Sequence, residues 1–492
     1  MTASALQLLG MLVACGSAAT SLLAPTRRTR LAAGAVALLA APALVIGDVW
    51  QSTRLVDLRH HPAELAAAIC VAAAAVAIAA AIFRRYSWAF PVALFAALPL
   101  RVPVQVAGQT AHLLIPLYLV IAGGLVCFAI AELEGGHGRA DGARADFESP
   151  ERRAAVWLRW AIAATLILYG AQSGYSADVS NAIENASFFL VPFAVMLMLL
   201  GEVRWTRRVL GGVLVASAAV ALVFAAVAFG EYAARDLILS RGNLLQSNQL
   251  HIYFRVNSLF YDPNLFGRDL ALTVAALGAY LAWSRETGTA VVAAVVSAVL
   301  LGALALSYSV TSFIALGFGL LVVAGLRWGA RWALGAGAAI LACGVVFLLL
   351  SGTGRTDFSS SESLNTATSG RVDLVGGGIR LARDRPVAGW GSGSFGAAFS
   401  RHIERAKTTV SHSEPITVAA EQGGIGLIVY ALLIALAFIV LFGGASGSVA
   451  LAAVAACFVV MVAHSLGYAG FTTDPATWAL LGLGLALRRR PA

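Results

Sequence analysis

Long apolar runs separated by short polar loops dominate the chain. Stretches of roughly 17 to 25 apolar residues, the length that crosses a hydrocarbon layer, recur near 3–24, 31–47, 62–83, 87–100, 111–131, 155–172, 184–201, 209–229, 264–283, 289–306, 311–326, 333–351, 415–442, 449–466 and 472–487. The run at 87–100 is short and the last is marginal, so about fourteen transmembrane helices are expected. Backbone in lipid must satisfy its own hydrogen bonds, which makes these runs helices in spite of their valines. The expected fold class is an all-α polytopic membrane bundle.

Composition agrees with that pattern. With 59% apolar and only 12% charged residues, and a mean hydropathy of +0.82, the chain cannot be a water-soluble domain. Cys15, Cys70, Cys127, Cys343 and Cys457 all lie in apolar runs, where a thiol packs as a small apolar residue; no disulfide framework, metal cluster or cofactor is expected. The net charge of +9 is carried almost wholly by arginine, Lys407 being the only lysine. It is spread over many loops between hydrophobic spans, which disfavours a nucleic-acid partner.

Arginines in short loops mark the cytoplasmic side. Arg27, Arg28 and Arg30, Arg84 and Arg85, Arg204 with Arg207 and Arg208, Arg327 with Arg331, and Arg488 to Arg490 all fall on one side if the spans alternate. The segment 132–154, rich in Gly, Ala, Asp, Glu and Arg without apolar periodicity, lands there too and reads as a solvated linker. The N-terminus is then expected outside, or as a signal anchor or cleaved signal peptide, although the basic cluster follows the first apolar run.

Two loops on the outer side, about 230–263 and 352–413, are too long to be simple connections. The first ends in Arg255-Val-Asn-Ser258-Leu-Phe260-Tyr-Asp262-Pro263-Asn264. Asp-Pro-Asn is a helix-start signal, and Arg255 either snorkels to lipid phosphates or grips a substrate phosphate through both arms of its guanidinium. In the second loop, Val372, Val375 and Ile379 recur at helical spacing, predicting a short amphipathic helix with Arg371, Arg380 and Arg383 on or near its polar face, ending before Pro386. Gly389-Trp-Gly391-Ser-Gly393 follows as a tight, flexible turn and a weak match to a nucleotide-binding loop. His412 then stands at the start of a membrane helix, with Glu421, Gly423 and Gly426 following. By itself such a histidine either hydrogen-bonds a loop or accepts a proton near pH 7. Glu421, roughly 13 Å farther along by helical rise, is expected to brace the bundle, as membrane carboxylates are usually paired. Outward arginines beside His412 suggest group transfer from a lipid diphosphate.

On these residues, most specifically over about 250–445, the chain resembles the superfamily of O-antigen ligases and O-antigen polymerases, multi-span bacterial glycosyltransferases. The resemblance rests on Arg255, Ser258, Phe260, Pro263 and Asn264; on Gly370-Arg371; on Pro386, Gly389, Gly391 and Phe395; and on His412, Ser413, Glu421, Gly423 and Gly426. Relatives often carry Ser-Arg where this chain has Ser307-Tyr-Ser309-Val-Thr311-Ser312, so either another group takes that arginine's role or the position is a structural helical break. The resemblance implies a metal-independent, inverting transferase without cofactor at the outer face of the cytoplasmic membrane. Its donor would be an undecaprenyl-diphosphate-linked glycan, its acceptor a glycan or lipid carrier, and membrane lipid its surroundings. His412 would be the general base, with Arg255 and Arg371 on the diphosphate. Arg380, Asn264 and Ser258 would contribute to substrate binding, and Pro263, Glu421, Gly423 and Gly426 would be motif positions with a structural role.

The implied organisation is an N-terminal bundle over 1–229, a ligase-like core over 230–445 and terminal helices over 446–492. A polymerase of lipid-linked repeats is the alternative within this class. Outside it stand a polysaccharide or lipid transporter, which predicts internal repeats and broken helices, and a non-catalytic assembly scaffold.

Overall fold

The computed structural model describes residues 4–50, 52, 60–106, 109–135, 150–239, 244–245, 248, 254–338, 371–403 and 411–488. Among these, eleven helices are long and apolar enough to cross a membrane, and the shorter apolar helices Val449–Ser465 and Pro475–Leu487 accompany them. The expected span 333–351 lies largely outside the described residues, which follow it as helix only to 338.

In chain order the helices are α1 (Ala5–Leu23), α2 (Arg27–Asp48), α3 (Pro62–Arg85), α4 (Ala89–Ala97), α5 (Ile115–Glu134), α6 (Pro150–Gln172), α7 (Val179–Asn185), α8 (Val191–Leu200), α9 (Arg207–Ala234), α10 (Pro263–Trp283), α11 (Thr287–Leu306), α12 (Val310–Trp328), α13 (Arg371–Asp384), α14 (Phe395–His402), α15 (Glu414–Phe442), α16 (Val449–Ser465) and α17 (Pro475–Leu487). Two features depart from the expected spans. Residues Val102–Val106 (β1) and Gln109–Leu113 (β2) pair as an antiparallel hairpin, so the span expected from 111 begins at Ile115. The run at 87–100 becomes α4, whose nine residues extend about 14 Å, less than half a hydrocarbon layer.

Burial sorts the helices. Every residue of α8 is buried, and a helix apolar on all sides belongs in a core; it packs against α1, α2 and α17. A π turn at Ala186–Leu190 joins α7 to α8, and the Tyr118 hydroxyl donates to its Phe188 carbonyl at 2.7 Å. By contrast α3 has 6% of its apolar window buried against 78% for Val179–Leu200, which leaves it a lipid-facing flank. Cys15, Cys70, Cys127 and Cys457 are free thiols.

The bundle has two distinct ends. At one, Arg27 pairs with Glu132 (3.0 Å) and Glu202 (2.8 Å), Arg30 with Glu202 (3.1 Å), and Arg84 with Glu134 (2.8 Å). Arg327 donates to the Ala282 carbonyl there, and Arg488 to that of Gly443. The arginine-bearing loops that the charge pattern assigns to one side therefore meet at one end. The opposite end carries the starts of α7, α10, α15 and α17, together with α13 and α14. The amphipathic helix expected before Pro386 is α13, ending at Asp384.

Candidate active site

Three acid–proline dipeptides, Asp262-Pro263, Glu414-Pro415 and Asp474-Pro475, start α10, α15 and α17. Proline at an early helical position needs no amide hydrogen, and an acid ahead of it can satisfy the free N–H groups. Asp262 accepts from the Asn264 amide at 2.7 Å and Asp474 from the Ala476 amide at 2.8 Å. Glu414 is used differently. Its buried carboxylate reaches across to the loop before α17, accepting from the Gly470 amide (2.7 Å), the Thr472 amide (3.1 Å) and the Thr472 hydroxyl (2.7 Å).

His412 sits two residues ahead of α15 with φ of 62°, a left-handed conformation that costs a non-glycine residue on the order of 1–2 kcal/mol. The surrounding turn holds it there. The Ser411 hydroxyl donates to the Ser413 carbonyl (2.7 Å) and accepts from the Ser413 amide (3.2 Å), while the Ser411 amide donates to Thr417 Oγ1 (3.2 Å). The imidazole lies edge-on to Tyr468 with ring centroids 5.8 Å apart, and the His464 ring is 5.7 Å from the same tyrosine. The Tyr468 hydroxyl donates to Asp262 Oδ2 at 3.1 Å. Burial pushes that phenol well above its ordinary range, and the Asp262 charge adds to the effect, so it stays protonated and remains a donor.

Glu421 braces the glycine turn. Its carboxylate accepts from the Gly393 amide at 2.9 Å and the Phe395 amide at 3.0 Å. Helix α15 is kinked beside it at Gly423, with φ of 66°, which frees backbone groups to bond the turn. The Trp390 amide donates to the Ala420 carbonyl (3.0 Å), that of Gly391 to Glu421 (2.8 Å) and that of Gly424 to Pro386 (2.7 Å). A Cβ on Gly423 would stand 2.3 Å from the Val387 carbonyl oxygen, and one on Gly389 2.3 Å from that of Glu421; glycine is required on both sides of the contact. On the far side, Asn181 and Ser176 donate to the carbonyls of Gly393 (2.6 Å) and Ser392 (2.8 Å). The turn expected to be flexible is a fixed wedge between α15 and the start of α7.

The loop between α9 and α10 is organised by Glu231, near the end of α9. Its carboxylate accepts from the amides of Ile238 (3.0 Å), Asn257 (3.3 Å) and Ser258 (2.7 Å). Ser258 is fully buried, and its hydroxyl donates to the Phe224 carbonyl at 2.8 Å. Asn264, also buried, accepts from the Ser309 hydroxyl at 2.9 Å, and Ser309 contacts Ser312 at 2.8 Å. The serines between α11 and α12 thus tie that break to the start of α10. Arg255 donates through Nε to the Ser307 carbonyl at 3.1 Å. Arg371 is the first residue of α13, with its side chain outside the described residues, and Arg380 is exposed on the same helix.

His412, Glu421, Gly426 and Tyr468 line one cavity of about 1340 Å³. Among its described lining residues the guanidinium groups are those of Arg101 and Arg268, accompanied by Asp262, Glu414 and Asp474. Arg268 pairs with Asp474, and Arg101 lies 3.9 Å from the same carboxylate. Sequence reasoning did not find Arg101, Arg268, Glu414, Tyr468 or Asp474. Two signals could have found three of them: the charged pair Arg268-Asp269 inside an apolar run, and the recurrence of acid–proline for Glu414 and Asp474; nothing local marks Arg101 or Tyr468.

Residues 294–431 match the family model of the O-antigen ligases, so over that segment the chain is similar to that family, in accord with the resemblance read from its residues. The matched segment includes His412, Glu421, Gly423 and α13. Arg255, Ser258, Pro263 and Asn264 lie upstream of it, and Tyr468 and Asp474 downstream. No curated protein matches the chain.

Proposed function

We propose that the protein is a membrane glycosyltransferase of the ligase type, moving a glycan from undecaprenyl diphosphate to a surface acceptor on the outer face of the cytoplasmic membrane. The observation that carries this reading is His412. It lies in the matched segment, in a strained and tightly bonded turn, on the wall of a cavity large enough for sugars and bordered by buried arginines.

The acceptor hydroxyl oxygen attacks the anomeric carbon from the face opposite the diphosphate. A new C–O bond forms as the anomeric C–O bond to phosphate breaks, its electron pair leaving on the phosphate oxygen, and configuration inverts. His412 takes the hydroxyl proton and later loses it to water. Guanidinium groups neutralise the departing diphosphate, and by resemblance these include Arg255 and Arg371, with Arg380 as a further contributor to substrate binding. Tyr468 orients the imidazole through its ring edge and is itself fixed by Asp262. Asn264, Ser258, Pro263, Glu421, Gly423 and Gly426 hold the frame in which these groups act.

The test is the glycan profile of cells lacking the gene. Full-length chains left on the lipid carrier support the ligase, and single repeats on the surface carrier support the polymerase reading instead. Complementation with His412→Ala should leave the deletion profile unchanged at normal protein level in the membrane. Restored transfer would remove His412 as the base, and a normal profile in the deletion strain itself would contradict both the ligase and the polymerase readings.

A further inference from the structure

A second cavity adjoins the first. Its volume is about 850 Å³, and it is lined largely by apolar side chains of α4, α9, α10, α16 and α17, among them Phe95, Leu214, Leu272, Ala453 and Leu480. It reaches Arg207 and Arg285 near the end where the arginine loops gather, and it shares Arg101, Leu265, Arg268 and Asp474 with the cavity of His412. The shared residues are nearly all charged. The side chains of Arg101, Arg268 and Asp474 are 10%, 5% and 8% exposed, and Asp269 adds a further carboxylate to the apolar side.

Ionisable groups at such depth are costly and are kept where they meet a substrate or each other. The Arg268–Asp474 pair accounts for one guanidinium. Asp474 also caps α17 through its other oxygen, so it is committed as a structural group. Arg101 is held less closely than Arg268, 3.9 Å from the carboxylate, with Asp269 as a second nearby charge, Nη1 on the Pro99 carbonyl at 3.3 Å and Cζ 5.8 Å from the Phe260 ring centre. A cation at the boundary between an oily slot and a polar chamber is complementary to an amphiphile with an anionic joint, and the guanidinium fork fits a phosphate.

We propose that Arg101, supported by Arg268, seats the lipid-side phosphate of a prenyl diphosphate whose hydrocarbon chain lies in the apolar cavity and whose glycan lies in the cavity of His412. The assignment rests on the reading of the protein as a transferase from a lipid diphosphate, and it adds to that reading where the lipid lies and which side chains hold it. A diphosphate has two phosphates, and Arg101 serves the one on the lipid side. Phosphate replaces the long contact of Arg101 with Asp474 and leaves the Arg268–Asp474 pair in place.

The experiment is binding of farnesyl diphosphate to the purified full-length protein in nanodiscs, compared with inorganic diphosphate and farnesol. Wild type should prefer farnesyl diphosphate to either part alone. Arg101→Ala should weaken it at least about tenfold, the loss of one charge-assisted contact of about 1.4 kcal/mol, and Arg84→Ala at the opposite end should leave it unchanged. Ala453→Phe, which fills the apolar cavity, should weaken farnesyl diphosphate and leave inorganic diphosphate as it was. This second variant keeps the test open if Arg101→Ala does not fold. Wild-type affinity in folded Arg101→Ala or in Ala453→Phe overturns the site. The two readings fail separately: Arg101-dependent binding without glycan transfer by wild type leaves the lipid site standing and removes the transferase, and transfer with an indifferent Arg101 does the reverse.

Discussion

Arg27 and Arg30 close on Glu202 and Glu132 at one end of the bundle; at the other, Arg101 and Arg268 converge on Asp474. The residue types are the same, and the surroundings differ. The first cluster joins the ends of α2, α5 and α8 and lines neither of the two cavities, whereas the second lies where both meet. Opposite charges in contact are therefore a poor marker of function by themselves, since ion pairs also serve to hold helices together. What separates the ends is open volume beside the charge, together with a histidine held in a conformation that the chain would not adopt unaided.

The sharpest way to break the functional end is at its backbone. Gly423→Ala puts a methyl group against the Val387 carbonyl at a left-handed position and should cost about 3 kcal/mol or more, seen as loss of folded protein from the membrane. Normal accumulation would show that the wedge between α15 and the glycine turn is dispensable. Glu202→Gln weakens the opposite end by about 1–3 kcal/mol, read as a lower melting temperature, with turnover per folded molecule unchanged; reduced turnover would mean that the two ends are coupled. Tyr468→Phe removes only the bond to Asp262, worth about 1 kcal/mol. It should slow transfer roughly fivefold with little change in stability, and an unchanged rate would take Tyr468 out of the account. Arg84→Ala breaks an exposed pair and should stay within about 0.5 kcal/mol on stability with transfer at the wild-type rate.

Much of this architecture was legible in the sequence. Hydrophobic length located eleven spanning helices among the described residues, fewer than the roughly fourteen expected, arginine placement grouped the loops that meet at one end, and Pro386 marked the stop of α13. The hairpin was hidden because Ala111-His-Leu-Leu runs directly into the apolar residues of α5, so strand and helix merge into one hydrophobic run. His412, Glu421 and Gly423 were visible because they are near neighbours in one segment. The cluster at the junction of the cavities was not, because Arg268 and Asp474 are 206 positions apart and nothing local announces their meeting. Ser258 and Asn264 could be singled out from the sequence, but their hydrogen bonds could not. Only the packed bundle reveals that the Ser258 hydroxyl goes to Phe224 and that Asn264 is held by Ser309.

The central claim is that chemistry occurs at His412, and the most direct measurement is turnover of purified protein in vesicles supplied with a lipid-diphosphate-linked glycan and an acceptor. His412→Ala should lose about two to four orders of magnitude in rate, the range of general acid–base catalysis, at an unchanged melting temperature and with the lipid donor still bound. Turnover within a few-fold of wild type would contradict it.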